Sequence, residues 1–133
     1  MNVQGSTIAL VEDDASFRRA IERLLRASGL EVQTFASAEE LLGSVAPESH
    51  ACLILDVQLP GMSGFELFDQ LAASGHARPV IFISAHEADT VRERTGRIPE
   101  GVYLRKPFVG AKLLEVVRSM LKRNGAEPAD SGV

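Results

Sequence analysis

The sequence contains no tryptophan, one tyrosine and one cysteine among its 133 residues. Cys52 cannot form an internal disulfide, and its place in an apolar run predicts a small buried side chain. The net charge is −4 and no block of lysine and arginine stands out, which argues against direct nucleic-acid binding. No apolar run approaches the roughly 20 residues that cross a bilayer, and the N-terminus lacks a signal-peptide pattern. We therefore expect a cytoplasmic protein without a membrane partner.

The composition is that of a globular protein, since 45% of the residues are hydrophobic. A chain of this length forms one ordinary domain and can bury a core without disulfides or a structural metal. We expect this domain to occupy residues 1–123. Residues 124–133 contain mainly Gly, Ala, Pro, Asp and Ser, a composition that predicts a disordered tail.

Short apolar runs and amphipathic segments alternate along the chain. The apolar runs predict strands at residues 7–11, 32–35, 52–56, 79–84 and 101–104, the second of them at a sheet edge. Apolar residues at helical spacing predict a first helix that Gly29 closes, and a last helix over residues 109–123. Capping-box patterns begin at Ser37 and Ser63, and the helix after Ser37 is expected to run to about residue 45.

The alternation predicts an α/β fold, a doubly wound parallel sheet with helices on both faces. The fourth helical unit is the weak one. Residues 86–100 contain few apolar side chains beyond Val91 and Ile98, and Gly96 and Pro99 interrupt them. We expect a helix of one or two turns over about residues 89–95, or an irregular loop, and hypothesise that this segment is mobile.

Polar side chains stand where the predicted strands end, at the edge of a parallel sheet where ligands bind. Glu12 and Asp13 follow the first strand, Asp56 ends the third, Ser84 ends the fourth, and Lys106 follows the fifth. Clustered carboxylates repel one another, and a hard divalent cation such as Mg²⁺ relieves that conflict. A metal beside an aspartate, a hydroxyl and a lysine suits phosphoryl transfer onto the aspartate.

Four motifs in order resemble the receiver domains of bacterial two-component response regulators, of the stand-alone type. They are Val-Glu-Asp-Asp at residues 11–14, Asp-Val-Gln-Leu-Pro-Gly-Met-Ser-Gly at 56–64, Ser-Ala at 84–85 and Lys-Pro-Phe at 106–108. The resemblance covers roughly residues 7–122. It implies a flavodoxin-like five-stranded sheet of order 2-1-3-4-5.

The resemblance also implies a role for each motif residue. Asp56 accepts the phosphoryl group. Mg²⁺ is held by Asp13, Asp56 and the Gln58 carbonyl, with Glu12 acting largely through water. Lys106 and the Ser84 hydroxyl contact the phosphoryl group.

Further roles follow from the same resemblance. Ser84 and Tyr103 form a switch in which the tyrosine changes rotamer. Gln58 and His86 stand at positions that tune self-dephosphorylation. The bond from Lys106 to Pro107 is expected to be cis.

The implied partners are a histidine kinase or histidine phosphotransfer protein as donor, and a downstream protein target. The signal is expected to leave through the face of helix four, strand five and helix five. Ten residues after the last helix are too few for a DNA-binding domain, so output in trans is expected if the chain is complete. The only chemistry expected is self-catalysed phosphoryl transfer and loss at Asp56, and the oligomeric state stays open.

Three other interpretations compete. A receiver-like adaptor that binds proteins without phosphorylation is the principal alternative, although the intact set of acids, serine and lysine argues against it. A flavodoxin-like cofactor carrier would need a phosphate cradle where Glu12, Asp13 and Asp14 stand. A phosphatase with an aspartyl intermediate would resemble Asp-x-Asp, whereas this chain has Gln58.

Overall fold

The computed structural model describes residues 7–44, 50–85 and 89–123. Strands and helices alternate along it as follows: β1 (Thr7–Val11), α1 (Ala15–Ala27), β2 (Val32–Phe35), α2 (Ala38–Leu42), β3 (His50–Asp56), α3 (Gly64–Ala73), β4 (Val80–Ser84), α4 (Asp89–Gly96), β5 (Gly101–Arg105) and α5 (Gly110–Arg123). None of the helices in these ranges is long and apolar enough to cross a membrane. The second helix was expected to run to about residue 45, and this expectation is wrong, because the helix ends at Leu42 and Gly43 is its C-cap. The expected tail at 124–133 lies outside the described residues.

The five strands form one parallel sheet in the order β2-β1-β3-β4-β5. This is the flavodoxin-like order that the sequence resemblance implied, and the edge position of β2 is also confirmed. β1 and β3 pair directly at the centre, so the residues that follow them are neighbours at the carboxyl edge. β5 lies two strands from β3, with β4 between them.

The central strands are apolar on both faces because helices cover both sides of the sheet. In β1, Ile8 and Leu10 belong to a core cluster with residues of α1 and α5, such as Leu25 and Leu113. Ala9 and the other alternate positions of β1 belong to a second cluster with residues of α2, α3 and α4. Successive side chains of a strand point to opposite faces of the sheet. Because both faces are covered here, positions on both faces are apolar and the strands appear in the sequence as continuous hydrophobic runs.

Two capping-box patterns had been predicted, and the structure forms one of them completely. Before α3, the Ser63 hydroxyl accepts from the Glu66 amide while the Glu66 carboxylate accepts from the Ser63 amide. Before α2, the Ser37 hydroxyl accepts from the Glu40 amide, but the Glu40 carboxylate accepts from the Ala36 amide instead. The second helix therefore has a serine N-cap without the reciprocal bond.

β3 begins at His50, two residues before the predicted start at Cys52. The strand predicted at residues 52–56 leaves His50 in the preceding loop, and this prediction is wrong because the side chain is 1% exposed within the strand. Its Nε2 lies 3.0 Å from the Gln33 amide oxygen, and its ring meets the edge of Phe35. A polar residue before an apolar run gives no local sign that neighbouring side chains will cover it.

α4 is a regular helix of two turns, which confirms the short fourth helix expected over residues 89–95. Only Val91 and Thr95 among its eight residues are buried, and the Thr95 hydroxyl donates to the Val91 carbonyl at 2.8 Å. The segment that joins β4 to α4 includes His86, which lies outside the described residues. The mobility hypothesised for this segment stays a prediction.

Candidate functional site

The site lies at the carboxyl edge of the sheet, where β1, β3 and β5 end. Glu12 is the first residue after β1, Asp56 is the last residue of β3, and Lys106 is the first residue after β5. Because parallel strands all end at one edge, three side chains far apart in sequence meet there. The structure brings them into direct contact, as the sequence predicted for this edge.

Asp56 is 5% exposed, and both of its carboxylate oxygens have partners. Oδ1 accepts from the Gln58 backbone amide at 2.9 Å, and Oδ2 lies 3.1 Å from the Lys106 ammonium. These bonds fix the orientation of the carboxylate at the end of the strand. An oriented carboxylate of this kind can act as a nucleophile.

Glu12 is fully buried, although it carries an acidic side chain. Its Oε2 accepts from the Asp14 amide at 3.0 Å, and its Oε1 lies 3.0 Å from the Lys106 ammonium. Burial, together with the nearby charge of Asp56, raises the pKa of the Glu12 carboxyl to about 7 against the opposing effects of Asp14 and Lys106. Near neutral pH the pocket therefore carries a carboxyl group that is readily protonated in the absence of a further cation.

Asp13 and Asp14 have different positions, although they are adjacent in sequence. The Asp14 carboxylate caps α1 by accepting from the Phe17 amide at 3.1 Å, so it is engaged away from the acid cluster. Asp13 is exposed and joins Glu12 and Asp56 in a group whose carboxylate oxygens lie within 4.8 Å of one another. This oxygen-only group has the ligand type that Mg²⁺ prefers.

Lys106 is the cation that compensates two of these acids. Its ammonium forms ion pairs with Glu12 at 3.0 Å and Asp56 at 3.1 Å, and the side chain is 21% exposed. Burial works to lower the pKa of Lys106, but its contacts with Asp56 and Glu12 outweigh it and raise the pKa. Lys106 is therefore held as a charged group, ready to neutralise an oxygen of a third anion. The Lys106–Pro107 bond is cis, as the resemblance implied.

The loop after Asp56 folds tightly back onto the strand. Gly64 donates its amide to the Val57 carbonyl at 3.0 Å, and a side chain at this position would collide with the Asp56 carbonyl. Gly61 has a φ of 81°, a backbone conformation that glycine adopts without strain. These glycines allow the loop to place the exposed Gln58 beside Asp56, which is where a backbone ligand from residue 58 had been predicted.

Ser84 and Tyr103 lie on β4 and β5, the two strands on the side of β3 away from β1. Ser84 is fully buried at the end of β4, one residue beyond the position paired with Asp56, and its carbonyl accepts from the Lys106 amide at 2.8 Å. Tyr103 is half-buried on β5 opposite Phe82, and the Arg92 guanidinium lies 5.7 Å from its ring centroid. The switch roles expected for these two residues stay predictions.

Two residues at the site were not identified from the sequence. Arg18 donates to the Glu12 carbonyl at 2.7 Å, and Phe17 lies under the Lys106 ammonium with 4.5 Å between Nζ and the ring centroid. Phe17 is one of the apolar residues whose helical spacing predicts α1, and that pattern indicates a core residue rather than a residue of the site. The sequence does contain a signal that could have identified both residues. They lie in the first turns of the helix that directly follows β1, and such a helix begins beside the edge where β1 ends.

Fold and site together define a doubly wound α/β domain whose carboxyl edge carries an acid cluster bridged by a lysine. A family model described as the response regulator receiver domain matches residues 8–118. The chain therefore belongs to the receiver domains of the response regulators of two-component systems.

Similar curated proteins are longer than this chain. Nodulation protein W of Bradyrhizobium diazoefficiens is 41% identical over 119 residues, which are 88% of this chain and 52% of that protein. Response regulator protein TmoT of Ectopseudomonas mendocina is 38% identical over 92% of this chain and 56% of that protein. The chain thus spans about half the length of these relatives.

Solved structures show the same domain. The response regulator StyR is 41% identical with a TM-score of 0.77, over 90% of this chain and 60% of that one. A response regulator receiver protein from Burkholderia phymatum is also 41% identical, with a TM-score of 0.74 over 87% of this chain and 94% of that one. The second comparison spans nearly the whole of the solved chain.

Receiver domains bind Mg²⁺ at an acidic pocket, and the residues of this pocket fit that ion. Glu12 Oε1 is buried and, among the described residues, makes an ion-pair contact but no oriented hydrogen bond. A divalent cation nearby would stabilise a buried carboxylate oxygen that accepts no hydrogen bond. The three acids supply oxygen ligands alone, which suits Mg²⁺ better than zinc.

Proposed function

We propose that the domain takes a phosphoryl group onto Asp56 from a phosphohistidine donor in a Mg²⁺-dependent reaction. The observation that carries the proposal is the pairing of the Asp56 carboxylate with the Lys106 ammonium beside the Glu12 and Asp13 acids. A nucleophile, a fixed cation and a metal-binding acid cluster are the parts that phosphoryl transfer to an aspartate requires.

Each residue contributes to one part of the reaction. An Asp56 oxygen forms a bond to phosphorus while the phosphorus–nitrogen bond to the donor histidine breaks, and the electron pair of that bond stays on the imidazole. Lys106 supplies positive charge to the phosphoryl oxygens, and the Ser84 hydroxyl donates to one of them. Glu12, Asp13, Asp56 and the Gln58 carbonyl would hold Mg²⁺, which adds positive charge at the phosphoryl group when bound.

The donor would be a histidine kinase or a histidine phosphotransfer protein. The reaction modifies the chain itself, so the domain is a self-modifying signalling module rather than a turnover enzyme. Loss of the phosphoryl group by attack of water would complete the cycle, and Gln58, whose backbone amide donates to Asp56, and His86 would tune that rate.

The signal would arise from a shift between two conformations of the domain. Phosphorylated Asp56 offers oxygens to Ser84 and Lys106 and draws the end of β4 inward. Tyr103 then moves, and the face formed by α4, β5 and α5 changes for a downstream protein. The Arg92 guanidinium over the Tyr103 ring supports this link, because movement of the ring must alter its contact with α4.

Intact-mass spectrometry tests the proposal directly. The protein is incubated with Mg²⁺ and a small phosphodonor such as acetyl phosphate, and the expected result is the gain of one phosphoryl group. Asp56→Asn should abolish the gain, whereas Asp69→Asn, at an exposed aspartate on α3, should leave it unchanged. No gain in the wild-type protein would favour an adaptor that binds without phosphorylation.

A further inference from the structure

The Lys106 ammonium has a third neighbour besides its two carboxylates. Its Nζ lies over the Phe17 ring, 4.5 Å from the ring centroid. An ammonium within about 6 Å of a ring face is attracted by the negative charge density of that face. Phe17 is therefore a third partner of the Lys106 ammonium, besides Glu12 and Asp56.

The position of the Phe17 ring is fixed by its surroundings. Phe17 is in the first turn of α1, where its amide donates to the capping Asp14 carboxylate. The Phe108 ring stands perpendicular to it, with 5.8 Å between centroids and an interplanar angle of 82°. The ring also packs against the core cluster beneath α1 and α5. Such a ring is a rigid platform rather than a mobile surface group.

Lysine, in contrast, has a long stem with several rotatable bonds. Two ion pairs with carboxylate oxygens alone leave the Nζ position dependent on the side chains of two acids. The ring face of Phe17 adds a third contact, from a side chain that the helix and the core hold in place. Phe17 is also one of the residues against a lysine side chain that is only 21% exposed.

We infer that Phe17 is a positioning residue, whose ring face fixes the Lys106 ammonium where it bridges Glu12 and Asp56. The part of this inference that concerns reaction rate rests on the proposed phosphoryl transfer. The part that concerns Lys106 itself does not. A side chain that only fills the core would supply apolar contact at this position without orienting the ammonium.

Positioning Lys106 has two consequences of opposite sign. A fixed ammonium is ready to accept phosphoryl oxygens, so loosening it slows phosphorylation. In the metal-free pocket the same ammonium shares Glu12 and Asp56 with any incoming Mg²⁺, so loosening it strengthens Mg²⁺ binding. General damage to the fold would weaken both properties together, which separates positioning from packing.

The test compares Phe17→Leu, which removes the ring, with Phe17→Tyr, which keeps a ring face. Leu24→Ala serves as a packing control, since Leu24 is another half-buried residue of α1 against the same core cluster. Three quantities are measured in each protein: the proton shifts of the Lys106 ε-methylene by NMR, the Mg²⁺ affinity by calorimetry, and the rate of phosphorylation by acetyl phosphate.

In Phe17→Leu, the ε-methylene should lose the upfield shift that a ring face produces. Phosphorylation should slow and Mg²⁺ binding should tighten, each by about two- to tenfold, the range that the strength of an ammonium–ring contact allows. Phe17→Tyr should keep wild-type values for all three.

Unchanged ε-methylene shifts in Phe17→Leu would overturn the inference. A parallel loss of Mg²⁺ affinity and rate, as expected for Leu24→Ala, would overturn it as well. If the wild-type protein took no phosphoryl group, the proposed function would fail, while the ε-methylene shifts and the Mg²⁺ affinity would still decide the role of Phe17.

Discussion

In the acidic pocket, buried charged groups hold one another in place, whereas α4 turns most of its charges to solvent. Glu12 and Asp56 are nearly inaccessible, and both contact the Lys106 ammonium. On α4 every described residue except Val91 and Thr95 is exposed. Arg94 links this helix to α3, since its guanidinium contacts the exposed Asp69 carboxylate at 3.2 Å and lies 4.7 Å from the Phe65 ring centroid.

The difference between these regions matches two requirements of a signalling domain. A charge taken out of water must be compensated, so each residue of the pocket constrains the others. A surface helix with few buried side chains can shift or open at low cost in free energy. Chemistry at the pocket is therefore expected to be sensitive to single substitutions, whereas α4 should tolerate them and respond to the state of the pocket.

The largest expected effect follows from removing the cation of the pocket. Lys106→Met should slow phosphorylation by acetyl phosphate by about 100-fold or more, since a preorganised charge at the transition state is lost. The rate of mass gain at saturating Mg²⁺ measures this effect. Lys112→Met is the matched control, because Lys112 is an exposed lysine of α5 whose contact with Glu115 spans 4.0 Å. Equal rates for the two variants would show that the pocket is less constrained than its geometry indicates.

The second prediction concerns pH. The pKa of Glu12 is about 7 in the folded, metal-free protein against 4.5 when unperturbed, so the folded state binds the proton more tightly. The free energy of unfolding should therefore fall as the pH rises from 4.5 through about 7. For this one group the loss is at most about 3 kcal/mol. Urea unfolding at a series of pH values, with a chelator present, measures it.

Glu12→Gln is the control for this pH dependence, since an amide cannot titrate. Subtracting the free energy of unfolding of this variant from that of the wild-type protein at each pH removes the contributions of all other titrating groups. Saturating Mg²⁺ should also flatten the difference, because a cation bound at the acids favours the ionised Glu12. A difference that stays constant across the pH range would contradict the raised pKa of this carboxyl.

Much of this organisation could be predicted from local sequence. The strand order followed from the family resemblance, and the meeting of Glu12, Asp56 and Lys106 followed from the rule that ligands bind at the carboxyl edge of parallel strands. Element boundaries were predicted to within one or two residues over most of the described chain. The element boundaries and the residues at the strand ends depend on periodicity and on chain order, which sequence displays directly, whereas the strand order came from the resemblance alone.

Other features depend on contacts between distant residues, which sequence does not display. His50 is buried beside Gln33 and Phe35 of β2, a strand that β1 separates from β3, and its own segment gives no sign of this. The Glu40 carboxylate accepts from the Ala36 amide rather than from the Ser37 amide, so the capping box is not completed. Which amide it accepts from depends on the backbone conformation before the helix. Phe17 was recognised as a core residue, but its contact with Lys106 spans most of the sequence and appears only in the folded structure.

The smallest expected effect compares one substitution in two helices. Val117 in α5 is fully buried and Val91 in α4 is 8% exposed. Val117→Ala should lower the free energy of unfolding by about 2–3 kcal/mol, from lost burial and the remaining cavity. Val91→Ala should lower the free energy of unfolding by about 1 kcal/mol, because a helix with few buried contacts can shift to fill the cavity. Urea denaturation of both variants measures the difference.

Hydrogen exchange of the unphosphorylated protein supplies the corresponding local measurement. The amides of α4 should exchange through local opening and faster than those of α5, and Val91→Ala should speed their exchange further. In Val117→Ala, the most protected amides of the sheet should lose protection as global stability falls, because they exchange through complete unfolding. Protection of α4 equal to that of α5 would show a stably docked helix, and the contrast between a constrained pocket and a loosely held α4 would then have to be abandoned.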